Sequence, residues 1–281
     1  MRLGIADREG RITSLARART PELGGPAGTV RWIASNVARL GDGATPIAVG
    51  VGVPGPCDPR TGVLVNPPNL AGWPPNVPFG AMLRDALDAP VHLENDANVA
   101  AVAEHVRGAG RGVQDLAYVT WSTGIGAGLI VGGRLYSGAH GSAGEVGHMV
   151  LDPAGRLCSC GTRGCTEAYA SGAAIAQRTG SPAAEVFSAA RHGDAAALAV
   201  VNEAAGMVGI ALMNLANLFD PELIVIGGGI TASWSLVRRP LYEPIRTSPF
   251  ITRNRRPRLR RAGLGSRVGL VGAVEWALAN L

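Results

Sequence analysis

Lysine is absent from the 281 residues, so all 26 basic side chains are arginine. That excludes a catalytic lysine and the lysine-bearing phosphate loop G-x-x-x-x-G-K. Cysteine is scarce: there are four, and three of them fall between Cys158 and Cys165. Such clustering suits a metal site better than the disulfide framework of a secreted domain, and the expected compartment is a reducing cytoplasm. Aromatic residues make up 5% of the chain, and none interleaves with the basic run from Arg253 to Arg261. With no helix-turn-helix pattern before it, this run accounts for much of the net charge of +5 without implying a nucleic-acid partner. It reads as a solvated face, a subunit contact or an anion site. The first ten residues lack a signal-peptide core, and no apolar run is read as approaching the roughly 20 residues of a membrane span.

Hydrophobic residues make up 47% of the chain, with 40 glycines, which suits close-packed α/β layers. The length allows two domains or one large α/β domain. A hairpin is expected from Leu3 to Ala6 and Arg11 to Ala16, with a polar turn ending at Gly10. Apolar spacing predicts helices over Thr29 to Leu40, Pro78 to Leu87 and Ala97 to Val106. It also predicts an interrupted helical stretch from Gly172 to Asn217 and a closing helix from Arg267 to Leu281. Strands are expected at Pro46 to Val53, Val91 to Glu94, Leu116 to Trp121, Gly126 to Val131 and Leu223 to Ile226. Strand–helix alternation with glycine turns at strand ends points to an α/β fold with phosphate-binding loops.

The richest stretch runs from Gly144 to Glu167: G-E-V-G-H, nine residues, then C-S-C-G-T-R-G-C-T-E. His148, Cys158, Cys160 and Cys165 form the ligand set of a closed tetrahedral zinc site, and four good ligands favour a structural over a catalytic metal. A Cys158–Cys160 disulfide would close an unusually tight ring. Glu145 and Glu167 flank the set and are not needed to complete it, so a second ligand is expected beside the metal. In H-L-E-N-D-A-N, Asp96 is either a helix cap or a general base, and Asn95 could bond a neighbouring hydroxyl. Ser122 to Gly126 and Gly227 to Gly229 are glycine turns that suit either phosphate contacts or tight connections. Cys57 reads as a buried thiol.

The run G-E-V-G-H…C-S-C-G-T-R-G-C-T-E-A-Y-A-S-G, with V-G-V-P-G-P, L-E-N-D-A-N-V-A-A, S-T-G-I-G-A-G and V-I-G-G-G-I in this order, resembles the ROK family of sugar kinases and sugar-responsive repressors. The resemblance implies an actin-like ATPase (ribonuclease H-like) α/β fold of two lobes. A small lobe would span 1–96, joined by the helix at 267–281, and a large lobe with a zinc loop would span 97–266. It implies ATP-dependent phosphorylation of a hexose, most closely glucose, or alternatively of an N-acetylated hexosamine. Asp96 would be the general base, and Gly55, Asn95, Glu145, His148 and Glu167 would bind the sugar. His148 would serve twice, one ring nitrogen on zinc and the other on a hydroxyl. Thr123 and Gly124 would contact the phosphates of Mg-ATP, and Gly228 and Gly229 its adenosine. The lobes would close over the substrates, and a homodimer or homotetramer is expected.

In one respect the chain departs from the family. Relatives begin with a strand and a D-x-G-G-T-K phosphate loop, whereas Arg2 to Gly10 matches the strand and turn that follow it. The missing strand would leave a sheet edge exposed. It also raises a competing reading, that of a sugar-binding protein with little or no kinase activity.

Overall fold

The computed structural model describes residues 1–67, 70 and 72–281. In chain order the first elements are β1 (Arg2–Ala6), β2 (Ile12–Arg17), α1 (Gly25–Leu40), β3 (Val49–Val53), β4 (Cys57–Asp58), β5 (Val63–Leu64), α2 (Phe79–Leu87), β6 (Val91–Asn95) and α3 (Asp96–Val106). Then come β7 (Leu116–Trp121), β8 (Ile125–Val131), β9 (Arg134–Leu135), α4 (Thr166–Ala170), α5 (Gly172–Thr179), α6 (Ala183–Arg191) and α7 (Ala195–Phe219). The chain closes with β10 (Leu223–Gly227), α8 (Trp234–Thr247), β11 (Arg258–Arg261) and α9 (Val268–Ala279).

The chain forms two compact units. The first comprises Met1–Arg107, Ser137–Ala143 and Ser266–Leu281; the second comprises Gly108–Tyr136 and Gly144–Gly265. The boundary expected at 96/97 therefore falls at 107/108. Helix α3 stays with the first unit because its buried face packs on α9, whose Gly272 meets the backbone of Val99. The loop Ser137–Ala143, expected in the large lobe, also belongs to the first unit.

In the first unit β1 pairs with β2 antiparallel, and β3 pairs with β6 in parallel register, Val53 opposite Asn95. Leu64, Phe79, Leu83 and Leu93 centre its core, with Trp73 set edge-on to Phe79 at 5.0 Å between ring centroids. Among the described residues β1 has no strand partner besides β2, and β3 none besides β6. Both β1 and β3 line one cavity of about 790 Å³, walled also by α1 and α9 through Ile33, Ala273 and Leu278.

The second unit is built on a five-stranded sheet in the order β11-β10-β7-β8-β9. Strand β10 runs parallel to β11 and β7, whereas β7–β8 and β8–β9 are antiparallel. Trp121, Leu129, Ile224 and Ile226 are buried between this sheet and helices that include α7 and α8. The predicted helical stretch breaks twice. It breaks once near Gly180–Pro182 as expected, and again before Asp194, whose Oδ1 accepts from the Ala197 amide at 2.8 Å to cap α7. Sequence reading missed α8 because Pro240 and Pro244 lie inside it, although Val237, Leu241 and Ile245 recur every fourth residue on its buried face.

One expectation needs correcting. Helix α7 is long and apolar enough to cross a membrane by length and composition, with a hydropathy of 1.8 over its most apolar stretch. Its residues Val201, Ala205, Val208, Leu212 and Leu215 are buried within the second unit, which accounts for its composition as a core helix.

Candidate active site

In the first unit, the N-terminus of α3 sets out the residues of the N-D motif. Asn95, not Asp96, is the cap: its Oδ1 accepts from the Ala97 amide at 2.8 Å. Its Nδ2 donates to the Gly55 carbonyl at 3.2 Å, which joins two of the predicted sugar residues across the β3–β6 pair. One amide N–H of Asn95 is left for another acceptor. Gly55 sits at φ 86°, a left-handed conformation that favours glycine. Asp96 takes the first helical position, exposed to solvent and among the residues lining the cavity. The cap reading is thus satisfied by its neighbour, and Asp96 is held at a helix start that favours an anion.

Just before them, Glu94 is fully buried at the end of β6. Its Oε1 accepts from the Asn95 amide at 2.8 Å and from the Asn98 side-chain amide at 2.9 Å, and its Oε2 accepts from the Ser137 hydroxyl at 3.1 Å. Cys57 is buried nearby as expected; burial and the charge of Glu94 push its thiol up to about 12.

In the second unit the G-E-V-G-H stretch forms a 3₁₀ turn over Val146–His148 that lies on β8. A Cβ on Gly147 would stand 2.1 Å from the Ile125 carbonyl oxygen, so this close approach requires glycine. The turn puts Glu145 and His148 next to the cysteine loop. Nδ1 of His148 lies 3.8 Å from the Cys158 sulfur, and the Cys160 and Cys165 sulfurs are 3.7 Å apart. Two sulfurs each about 2.3 Å from a tetrahedral centre would be roughly 3.8 Å apart. All four ligand atoms lie within 4.8 Å of one another, so the set fits a single zinc ion. The four cysteines are free thiols, which removes the Cys158–Cys160 disulfide alternative. Hydrogen bonding from the Thr162 backbone lowers the Cys160 thiol to about 6, whereas burial pushes Cys165 up to about 12.

The cysteine loop is braced against its own unit. The Tyr169 hydroxyl donates to Asp152 at 2.9 Å, Arg156 lies 4.6 Å over the Tyr169 ring, and Arg156 pairs with Glu203 of α7 at 3.0 Å. Glu167, in the first turn of α4, accepts from the Ile125 amide through Oε2 at 2.8 Å. The same oxygen would be 2.9 Å from a Cβ on Gly124, so this carboxylate buttresses the glycine turn after β7. The Glu145 carboxyl is raised above the usual carboxylate range by partial withdrawal from water; His148 opposes the rise and Glu167 adds to it.

That glycine turn presents Ser122 and Thr123 to solvent, while the carbonyls of these two residues receive the first amides of α5, from Gly172 at 2.8 Å and Ala173 at 3.1 Å. The turn after β10 is more constrained than a mere ligand platform. A Cβ on Gly228, at φ 86°, would meet the Trp121 carbonyl oxygen at 2.2 Å, so packing alone accounts for glycine there. Gly229 has only the Ser122 hydroxyl nearby, at 3.7 Å, and is open to a ligand. The arginine run is a 3₁₀ turn followed by edge strand β11. Arg255 pairs with Asp220 at 3.3 Å, Arg256 donates to the Arg246 carbonyl at 2.8 Å, and Arg260 donates to the Ala109 carbonyl at 3.3 Å. A solvated face describes it.

The two units thus make up an α/β protein with a Cys3His loop, a capped acidic helix start and glycine turns at strand ends. A model of the ROK family matches residues 1–280, and the chain belongs to that family. The glucokinase of Thermotoga maritima is 34% identical over 263 residues, covering 86% of this chain and 83% of that protein. The crystal structure of the ROK hexokinase from Thermus thermophilus matches with a TM-score of 0.84 at 37% identity, over 99% of this chain and 94% of its own. A ROK family glucokinase from Streptomyces griseus, crystallised with glucose and AMPPNP, matches with a TM-score of 0.80 at 35% identity, over 98% and 94%. These neighbours are consistent with the actin-like ATPase fold.

Proposed function

We propose that the chain is an ATP-dependent hexose kinase acting on glucose. Asp96 takes the proton of the sugar's 6-hydroxyl, the freed oxygen bonds to the γ-phosphorus, and the bond to the bridging oxygen breaks to release ADP. Asn95, with one free N–H, Gly55, Glu145, Glu167 and His148 hold the sugar. His148 offers Nε2 to a hydroxyl while Nδ1 faces the cysteines. Thr123 and Gly124 approach the phosphates of Mg-ATP, and Gly228 and Gly229 the adenosine, Gly229 being the less encumbered. His148, Cys158, Cys160 and Cys165 hold a structural zinc, which ties down the loop carrying the sugar residues and takes no part in proton transfer. The chain works in the cytoplasm, as a homodimer or homotetramer, with neither nucleic acid nor membrane as a partner.

The observation that carries this reading is the placement of Glu145 and His148 on one glycine-enforced turn beside the cysteine set, in a chain at 34–37% identity to glucokinases and a hexokinase. The test is ADP release with Mg-ATP and a panel of hexoses. Turnover with glucose is expected, and turnover confined to an N-acetylated sugar would overturn the choice of glucose.

A second reading is favoured by the cavity between β1 and β3. On that reading the chain is a sugar-binding protein of weak or no kinase activity. Calorimetry separates the two: glucose binding with no Mg-ATP binding supports the second reading, and tight Mg-ATP binding removes its basis.

A further inference from the structure

Glu94 is an acidic residue in the wrong place for a surface strand. It is 0% exposed, it is the fourth residue of the five-residue strand β6, next to the buried Leu93, and among the described residues no cation pairs with it. Burying a carboxylate is unfavourable unless hydrogen bonds replace its water shell. Here three donors do so: the Asn95 amide, the Asn98 side-chain amide and the Ser137 hydroxyl. A carboxylate offers only acceptors, so it suits this set of donors, and a leucine at the same point would leave all three unmatched. Two of the three lie on either side of Asp96. The bonds to Asn95 and Asn98 bracket the first turn of α3 and fix the direction in which residue 96 leaves the strand. The third bond holds the head of the segment Ser137–Ala143, whose chain leads through Gly144 directly into Glu145.

We propose that Glu94 is a positioning residue for the phosphorylation: it orients Asn95 and Asp96 from behind, anchors Ser137, and does not touch the sugar. The proposal rests on the reading of Asp96 as general base. Its consequence is that the buried carboxylate governs turnover as well as stability. A merely structural role would lower the melting temperature and leave kcat of the folded protein unchanged.

The test compares the whole chain with Asp96→Asn, Glu94→Ala, Glu94→Gln and Ser137→Ala, measuring kcat, KM and calorimetric Kd for glucose, and thermal midpoint. Asp96→Asn is expected to lose turnover and keep glucose affinity. For Glu94→Ala, a fall in kcat on the order of 100-fold and a loss of glucose affinity of about tenfold are expected, because base and sugar ligand both lose their orientation. Glu94→Gln keeps an acceptor for the Asn95 amide and is expected to recover most of both. Ser137→Ala should raise KM and Kd about threefold with kcat retained, since only the anchor is lost. A folded Glu94→Ala protein with wild-type kcat and Kd overturns the proposal. If that variant does not fold, wild-type KM and Kd in Ser137→Ala overturn it. If the unaltered chain shows no turnover, the Kd ratios alone decide. Turnover surviving in Asp96→Asn overturns the general-base reading instead, whatever the Glu94 variants do.

Discussion

At the scale of single residues, the site depends on side chains that do no chemistry. Gly147 lets its turn sit on the Ile125 carbonyl, and a methyl group there would need space the backbone occupies. Gly147→Ala is therefore expected to destabilise the second unit by more than about 2 kcal/mol and to lower bound zinc, as urea unfolding and metal analysis would show. His92 gives a pH dependence of a definite sign. Burial, and then the charge of Arg84, hold its pKa below the ordinary 6.5, and among the described residues its buried Nε2 has no hydrogen-bond partner. The unfolded chain takes up a proton below about 6.5 and the folded one resists it, so stability falls as the pH drops through that value. Urea titrations at neutral and mildly acidic pH should show this loss, and it should shrink in His92→Leu. Much of the candidate site was legible at this scale, because the Cys3His set and the N-D pair are carried by residue type and spacing. Glu94 and Ser137 were not. An acidic residue in a strand reads as solvent-facing until the fold shows it buried, and the serine lies 43 positions away from its partner.

At the scale of elements, the cysteine loop is short, carries little regular structure, and is held to α7 by Arg156 and to α4 by the Tyr169–Asp152 hydrogen bond. With the proposed zinc bound, most of its order would come from the metal, which in small zinc domains supplies on the order of 10 kcal/mol. Chelation, or Cys160→Ser, is expected to remove the zinc, lower the thermal midpoint and weaken glucose binding through the loss of order at Glu145 and His148. Stoichiometric glucose binding by fully zinc-free protein would contradict the role given to the loop. Helices with regular apolar spacing were predicted to within a few residues. Helix α8 escaped because two prolines break the usual signal, while burial of Val237, Leu241 and Ile245 keeps it helical.

At the scale of the whole molecule, the units are unequally built. The second has a five-stranded sheet over a contiguous core, whereas the first has two-stranded pairs and a cavity of about 790 Å³. Two-stranded pairs are marginal alone, so amides of β1 and β3 are expected to exchange with deuterium sooner than those of β7 and β10. Equal protection would mean that the cavity costs the first unit little. The boundary at 107/108 was hidden from the sequence because α3 reads equally well as the start of either unit; only its packing on α9 decides.

The central claim is that Asp96 draws a proton from a bound hexose for transfer of the ATP γ-phosphoryl group. Its most direct test is glucose-dependent ADP release by the purified chain and by Asp96→Asn, with glucose affinity measured in parallel. The account predicts turnover in the first, a loss of roughly 10²–10⁴-fold in the second, and similar glucose affinity in both. Equal turnover in the two proteins would contradict it.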